Sequence, residues 1–269
     1  MQIIQAIARG EELNGPLPDA YHLDEVFEYL DSVEGISDEQ IAGLELPFVA
    51  LLCRHGHRVH KRTLALHREL ARDPTFFTQL LCWLYRRRDG VDDPEQKTLS
   101  PEQKKNLADI AYHTLEGWNM VPGCRDGGKV DSGQFTPWAE DAFLRAAEVS
   151  RKEAAESHFG GLLARFARWR SWDDWLPECV LSFLDRPENG SLRERFELGV
   201  RNARGVTTRG PYDGGAQERQ LAARYRELAT RYRITYPRVS VLLSATAENY
   251  EQDARRQDDE AAVGERWHP

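Results

Sequence analysis

The densest run of chemistry-bearing side chains is Cys53-Arg-His55-Gly-His57-Arg-Val-His60, with His67 seven residues further on. Imidazole nitrogen and thiolate sulfur are the ligands zinc takes most often, and a metal held here would activate water for hydrolysis. The spacing argues against it. Gly56 marks a helix end, so His55 and His57 diverge, and no second pair of the HExxH or CxxC kind follows. Arg54, Arg58, Lys61 and Arg62 also surround the histidines with positive charge, which opposes a divalent cation. A polar turn between helices accounts for the same residues, so neither a metal nor another cofactor is expected.

A second constellation is an anion site. Arg201, Arg204 and Arg209 flank a glycine-rich loop, and Gly214-Gly215 opens directly into the helical run that contains Arg219. A helix that starts after glycines presents free N–H groups to an anion, and guanidinium groups add bidentate donors. The loop has neither the Lys-Ser/Thr of a P-loop nor the GxGxxG of a dinucleotide site. The same arginines are equally suited to Glu194, Glu197, Asp213 and Glu218 of their own chain.

Catalysis finds no candidate residue. Glu140 with Asp141, and Asp173 with Asp174, are neighbours in sequence and diverge on a helix instead of converging on a cleft. There is no Gly-x-Ser-x-Gly elbow. Five tryptophans fall between residues 118 and 175, and Arg165, Arg168 and Arg170 interleave Phe166, Trp169 and Trp172. That alternation suits a base-stacking platform, although packing between helices is the commoner fate of such rings.

The elements that must position these residues are helices. Apolar spacing is helical nearly throughout, and no period-two run demands a sheet. Ser37-Asp-Glu-Gln40 has the capping-box pattern, and Asp73-Pro74, Ser100-Pro101 and Thr136-Pro137 each set an acceptor before a proline suited to the first helical position. Helices are expected near 22–32, 37–54, 59–72, 74–88, 101–118, 137–156, 158–169, 172–186, 190–203, 214–233 and 237–262. Arg86-Arg87-Arg88 would end the fourth of these, where cations complement the helix dipole. The fold expected is all-α, with stacked antiparallel helices forming an irregular bundle or a short α-solenoid. The Gly-, Pro- and Asp-rich stretch 122–134 divides an N-terminal helical part, 1–121, from a C-terminal one, 135–269.

Composition sets the remaining bounds. The chain has 269 residues, 41% of them hydrophobic, which supports a packed core and excludes wholesale disorder. No apolar run reaches membrane-spanning length, and the first eight residues lack the basic flank of a signal peptide, so a cytoplasmic protein without membrane contact is expected. Four scattered cysteines make no CxxC pair and are read as free thiols. Arginine outnumbers lysine thirty to six, a skew that anion recognition and a GC-rich coding bias both produce. The overall charge of −8 conceals polarity: residues 193–238 hold eleven Arg and no Lys against five acids, a net +6, which leaves −14 for the rest.

Asn202, Arg204-Gly205, Arg209, Gly214-Gly215, Gln217-Glu218-Arg219, Leu221-Ala222, Tyr225, Pro237-Arg238 and Ala247-Glu248 through Glu251, with Asp258, resemble the C-terminal end of a group of large, uncharacterised bacterial multidomain proteins. The similarity extends to the Phe76-Phe77 helix and the Trp118–Pro122 turn, over roughly residues 40–262. The resemblance implies a helical, non-enzymatic region associated with regulation or phage defence, and it brings no active site. The expectation is a non-catalytic interaction or scaffold module that meets an acidic protein partner through Arg201, Arg204, Arg209, Gly214, Gly215 and Arg219. The alternatives are nucleic-acid binding by the same arginines, and a metal-dependent hydrolase built on His55, His57 and His60.

Overall fold

The computed structural model describes residues 20–54, 62–91, 93–125, 128–203 and 214–267. Among these residues the protein is all-α. There is no strand, only an isolated antiparallel bridge between Cys124 and Val130. In chain order the helices are α1 (Ala20–Ser32), α2 (Asp38–Glu45), α3 (Val49–Arg54), α4 (Ala65–Arg72), α5 (Pro74–Leu84), α6 (Pro101–Gly117), α7 (Ser132–Glu148), α8 (Lys152–Arg168), α9 (Glu178–Leu184), α10 (Gly190–Ala203), α11 (Ala216–Tyr232) and α12 (Pro237–Trp267).

Three of the expected helix starts are present. Ser37 and Gln40 form a reciprocal capping box on α2, Ser100 and Gln103 form another on α6, and Asp73 accepts from the Thr75 N–H to open α5. The fourth is not. α7 begins five residues earlier, because Asp131 accepts from the Gly133 N–H, and Pro137 lies inside the helix. The break expected after residue 156 falls instead at Val149–Arg151, where Ser150 takes a left-handed φ of 60°. The run 37–54 is divided by a short 3-10 helix, Leu46–Phe48, at Pro47, which has no N–H to continue the ladder. The helix expected at 172–186 is reduced to Glu178–Leu184, and Trp172–Leu176 form a turn. α5 ends at Leu84, so the arginine triplet does not sit on its last turn. Arg87 instead holds Asp89 at 2.6 Å, and Arg88 pairs with Glu153.

Two compact units emerge: Met1–Asp126 with Val130–His158, and Gly127–Lys129 with Phe159–Pro269. This division does not coincide with the stretch 122–134. The boundary between the larger pieces falls inside the continuous helix α8, and α7 belongs to the N-terminal unit. The cause is aromatic. Phe77 of α5, Trp118 after α6 and Trp138 of α7 pack ring to ring at 5.4 to 5.6 Å, all buried. Such rings remove large apolar areas from water, and this outweighs the irregular backbone between α6 and α7.

The N-terminal unit is fastened by buried charge. Glu45, fully buried, accepts from the backbone N–H groups of Ala65 (3.2 Å) and Leu66 (2.7 Å), supplying the cap that Leu64 cannot give to α4. Arg62 bridges Glu45 and Asp31, and Arg68 bridges Asp31 and Asp38 at 2.7 Å each, linking α1, α2 and α4. Burial pushes the Glu45 carboxyl up, while Arg62 and the two N–H groups pull it back down. Arg151, with its side chain 1% exposed, binds Asp93 and the carbonyl oxygens of Tyr85 and Val149.

In the C-terminal unit, α8 and α10 cross closely. A Cβ on Gly160 would stand 2.8 Å from the Phe196 nitrogen, and one on Gly199 would stand 2.7 Å from the Ala164 Cβ. Glycine at these positions lets the two backbones approach, and so brings Ala164, Ala167 and Val200 to one place. α11 and α12 form an antiparallel hairpin, with Ser240 donating to the Ala229 carbonyl and Arg226 paired with Glu251 at 3.0 Å. Asp185, just past α9, accepts from the N–H groups of Arg238 and Val239 and thus caps α12 from fifty-three residues away.

Candidate functional site

The N-terminus of α11 does hold an anion, and the anion is the protein's own. Asp258 on α12 accepts from the Gly215 N–H at 2.9 Å and pairs with the Arg219 guanidinium. Arg219 and the Gly215 N–H hold the Asp258 carboxyl below the usual range. The glycines serve this packing. Gly214 has a φ of 53°, and a Cβ on Gly215 would fall 2.5 Å from the Ala254 Cα. Gly214, Gly215 and Arg219 of the expected anion site thus meet α12 of their own chain. Arg201 stays exposed on α10, and Arg204 and Arg209 lie outside the described residues.

His55, His57 and His60 also lie outside the described residues. Their neighbours inside are structural. Burial pushes the Cys53 thiol up to about 11, away from metal-binding or nucleophilic use, and its sulfur packs against Gly117, where a Cβ would come within 2.6 Å. His67 is buried beside them. Among the described residues no group of three or more His, Cys, Asp or Glu is placed to hold a metal ion.

The most organised concavity in the C-terminal unit is one the sequence names only in part. It is a cavity of about 230 Å³ bounded by Ala164 and Ala167 of α8, Val200 of α10, Leu221 and Tyr225 of α11, Tyr250 of α12, and the Trp172–Trp175 turn, with Arg168 and Arg170 at its edge. The aromatic walls are mutually braced. Tyr225 stacks on Tyr250 at 5.6 Å and 5° between planes, and Trp172 stands edge-on to Tyr225 at 5.1 Å. Trp175 is buried, edge-on to Phe196 and stacked with Tyr232. Burial raises the Tyr225 phenol, which stays protonated at neutral pH.

Arginines hold the Trp172–Trp175 turn from both sides. Arg170 donates to the carbonyl oxygens of Asp174 (2.8 Å) and Gly128 (2.6 Å), and Arg231 donates to those of Trp172 and Asp173 (3.1 Å each). Three further guanidinium groups, on α8, α10 and α11, are exposed. Arg168 lines its edge, Arg201 follows Val200, and Arg224 lies over the Trp172 ring, 5.5 Å from its centroid. None of the three forms an ion pair among the described residues. Of the interleaved rings, Trp172 joins the cavity while Trp169 stands 71% exposed with Arg168 against its face.

Tyr225, Tyr250 and Trp175 entered no candidate site from sequence, because rings from three separate elements meet only after α11 and α12 pair. Arg168, Arg170 and Trp172 did carry a signal, the alternation of guanidinium and ring. No protein-family model matches the chain, and neither a curated protein nor a solved structure matches it. No helix among the described residues is long and apolar enough to cross a membrane.

Proposed function

We propose that the protein is a non-catalytic helical binding module that recognises an acidic protein partner through the arginine-bearing face of its C-terminal unit. The observation that carries this is the sorting of its guanidinium groups. Arg193, Arg219, Arg226, Arg231 and Arg238 are engaged with carboxylates or carbonyl oxygens of their own unit. Arg168, Arg201 and Arg224 come from three different helices and are exposed; Arg168 lines the cavity and Arg224 lies over the Trp172 ring. Exposed cations of this kind steer and orient an anionic partner. The resemblance of the 200–258 stretch to the ends of large bacterial proteins supports placing the module in a regulatory or defence assembly.

The test is fluorescence anisotropy with a dye-labelled hexaglutamate at low salt. Replacing Arg168, Arg201 and Arg224 together with Glu is expected to weaken binding at least about tenfold, as repulsion replaces attraction at three points, without lowering the melting temperature. Equal binding by wild type and triple variant overturns the proposal. One observation favours a second reading, nucleic acid: the exposed Trp169 face carries Arg168 and offers a stacking surface. Retarded mobility of single-stranded DNA at low ionic strength, falling steeply with salt, would select that reading instead.

A further inference from the structure

We propose that the cavity enclosed by α8, α10, α11, α12 and the Trp172–Trp175 turn is a socket for one aromatic side chain of the acidic partner. The recognised segment would then be a phenyl, phenol or indole ring flanked by carboxylates. This rests on the binding-module reading above and gives it a recognition element that charge alone lacks.

Size selects the occupant first. At about 230 Å³ the cavity is smaller than the roughly 300–1,000 Å³ typical of small-molecule sites, so it takes a single ring and not a base with its sugar and phosphate. The walls select next. Trp172, Tyr225 and Tyr250 offer edges and faces to an entering ring, and Ala164, Ala167, Val200 and Leu221 complete an apolar floor. No carboxylate lines the cavity, Arg168 stands at its edge and Arg170 is paired with Asp174, so a cationic ring-binder such as a quaternary ammonium is disfavoured. The same arrangement favours carboxylates on either side of the anchor.

Preorganisation supports a socket over an accidental void. Arg170 and Arg231 fix the turn through the backbone carbonyls of Trp172, Asp173 and Asp174, Arg170 being anchored as well on the Gly128 carbonyl, and Tyr225, Tyr250 and Trp175 are already buried. The walls therefore need little ordering when the ring enters. A buried aromatic anchor inside a charged rim is the arrangement that concentrates binding energy at protein interfaces.

The experiment compares dye-labelled Glu-Glu-Glu-Phe-Glu-Glu-Glu with the same peptide carrying Ala at its centre, by anisotropy, with AMP as a competitor. Wild type is expected to prefer the Phe peptide by about tenfold or more, the gain that burying a phenyl ring gives. Leu221→Trp and Ala167→Leu each fill the cavity; in either one that keeps its melting temperature, the preference should vanish while affinity for the Ala peptide is unchanged. Equal binding of both peptides to wild type overturns the socket and leaves the charge reading standing. Failure of both peptides to bind overturns both. A Phe preference that survives in both filled variants places the ring elsewhere and overturns the socket, as does displacement of the Phe peptide by micromolar AMP.

Discussion

The two units put arginine to opposite uses. In the N-terminal unit, Arg62 and Arg151 point inward, with side chains 7% and 1% exposed; Arg62 is held by the Asp31 and Glu45 carboxylates, and Arg151 by Asp93 and the carbonyl oxygens of Tyr85 and Val149. In the C-terminal unit the guanidinium groups either clip surface elements together or face solvent. A charge taken out of water without a partner costs several kcal/mol, and both buried guanidinium groups are accordingly paired with carboxylates of their own unit. An exposed one has no such requirement, and where no carboxylate of its own unit pairs with it, it remains available to an outside anion. What separates fastener from contact is thus whether the chain itself brings an acceptor to the guanidinium, as Asp258 comes to the half-exposed Arg219, a property that counts of arginine along the sequence do not contain.

The contrast is easiest to break where burial is deepest. Glu45→Ala leaves Arg62 buried beside an empty position and uncaps α4, and is expected to cost about 3–5 kcal/mol of stability in chemical denaturation. A loss under 1 kcal/mol would show that this network does not fasten the unit. Gly215→Ala should cost about 1–3 kcal/mol, toward the upper end because the new Cβ meets backbone of Ala254 and not a movable side chain. Loss of the α11–α12 pairing should then appear as faster hydrogen exchange in both helices.

On the contact side, Arg224→Ala should weaken hexaglutamate binding by about three- to fivefold, in the range of a single exposed charge contact. Arg219→Ala should leave binding unchanged, because its guanidinium is already held by Asp258. Equal losses in the two variants would erase the distinction drawn here. The smallest effect concerns Cys53. Its thiol pKa is raised to about 11 by burial and then by Glu45, so the folded state keeps a proton that the unfolded chain releases near 9. Stability therefore falls as pH rises through that interval, and Cys53→Ala should flatten the difference in melting temperature between pH 8 and 10.5.

How much of this was legible in the sequence depended on the range of the interaction responsible. Ser37 with Gln40, Ser100 with Gln103 and Asp73 with Thr75 act within three residues, and their helix starts were readable directly. Thr136-Pro137 was misleading because a competing cap, Asp131, lay just upstream and a proline within the first two turns disrupts little. The shortened 172–186 helix was hidden because Arg231, nearly sixty residues away, holds the carbonyls of Trp172 and Asp173. The anion site was half legible. Glycines, a helix start and an arginine do bind an anion there, but nothing local reveals that Asp258 supplies it. The −14 and +6 halves of the charge were correctly located, yet five of the arginines in the basic segment are consumed within their own unit.

The placement of α7 bears on how the protein can be cut. The Gly-rich stretch 122–134 invites a protein engineer to place a fragment boundary there, with pieces ending at 121 and starting at 135. That cut would carry Phe135 and Trp138 away from Phe77 and Trp118 and leave four large apolar side chains, all buried in the intact chain, facing water on both fragments. Insoluble halves made in this way would report the position of the incision, not an inability of either unit to fold.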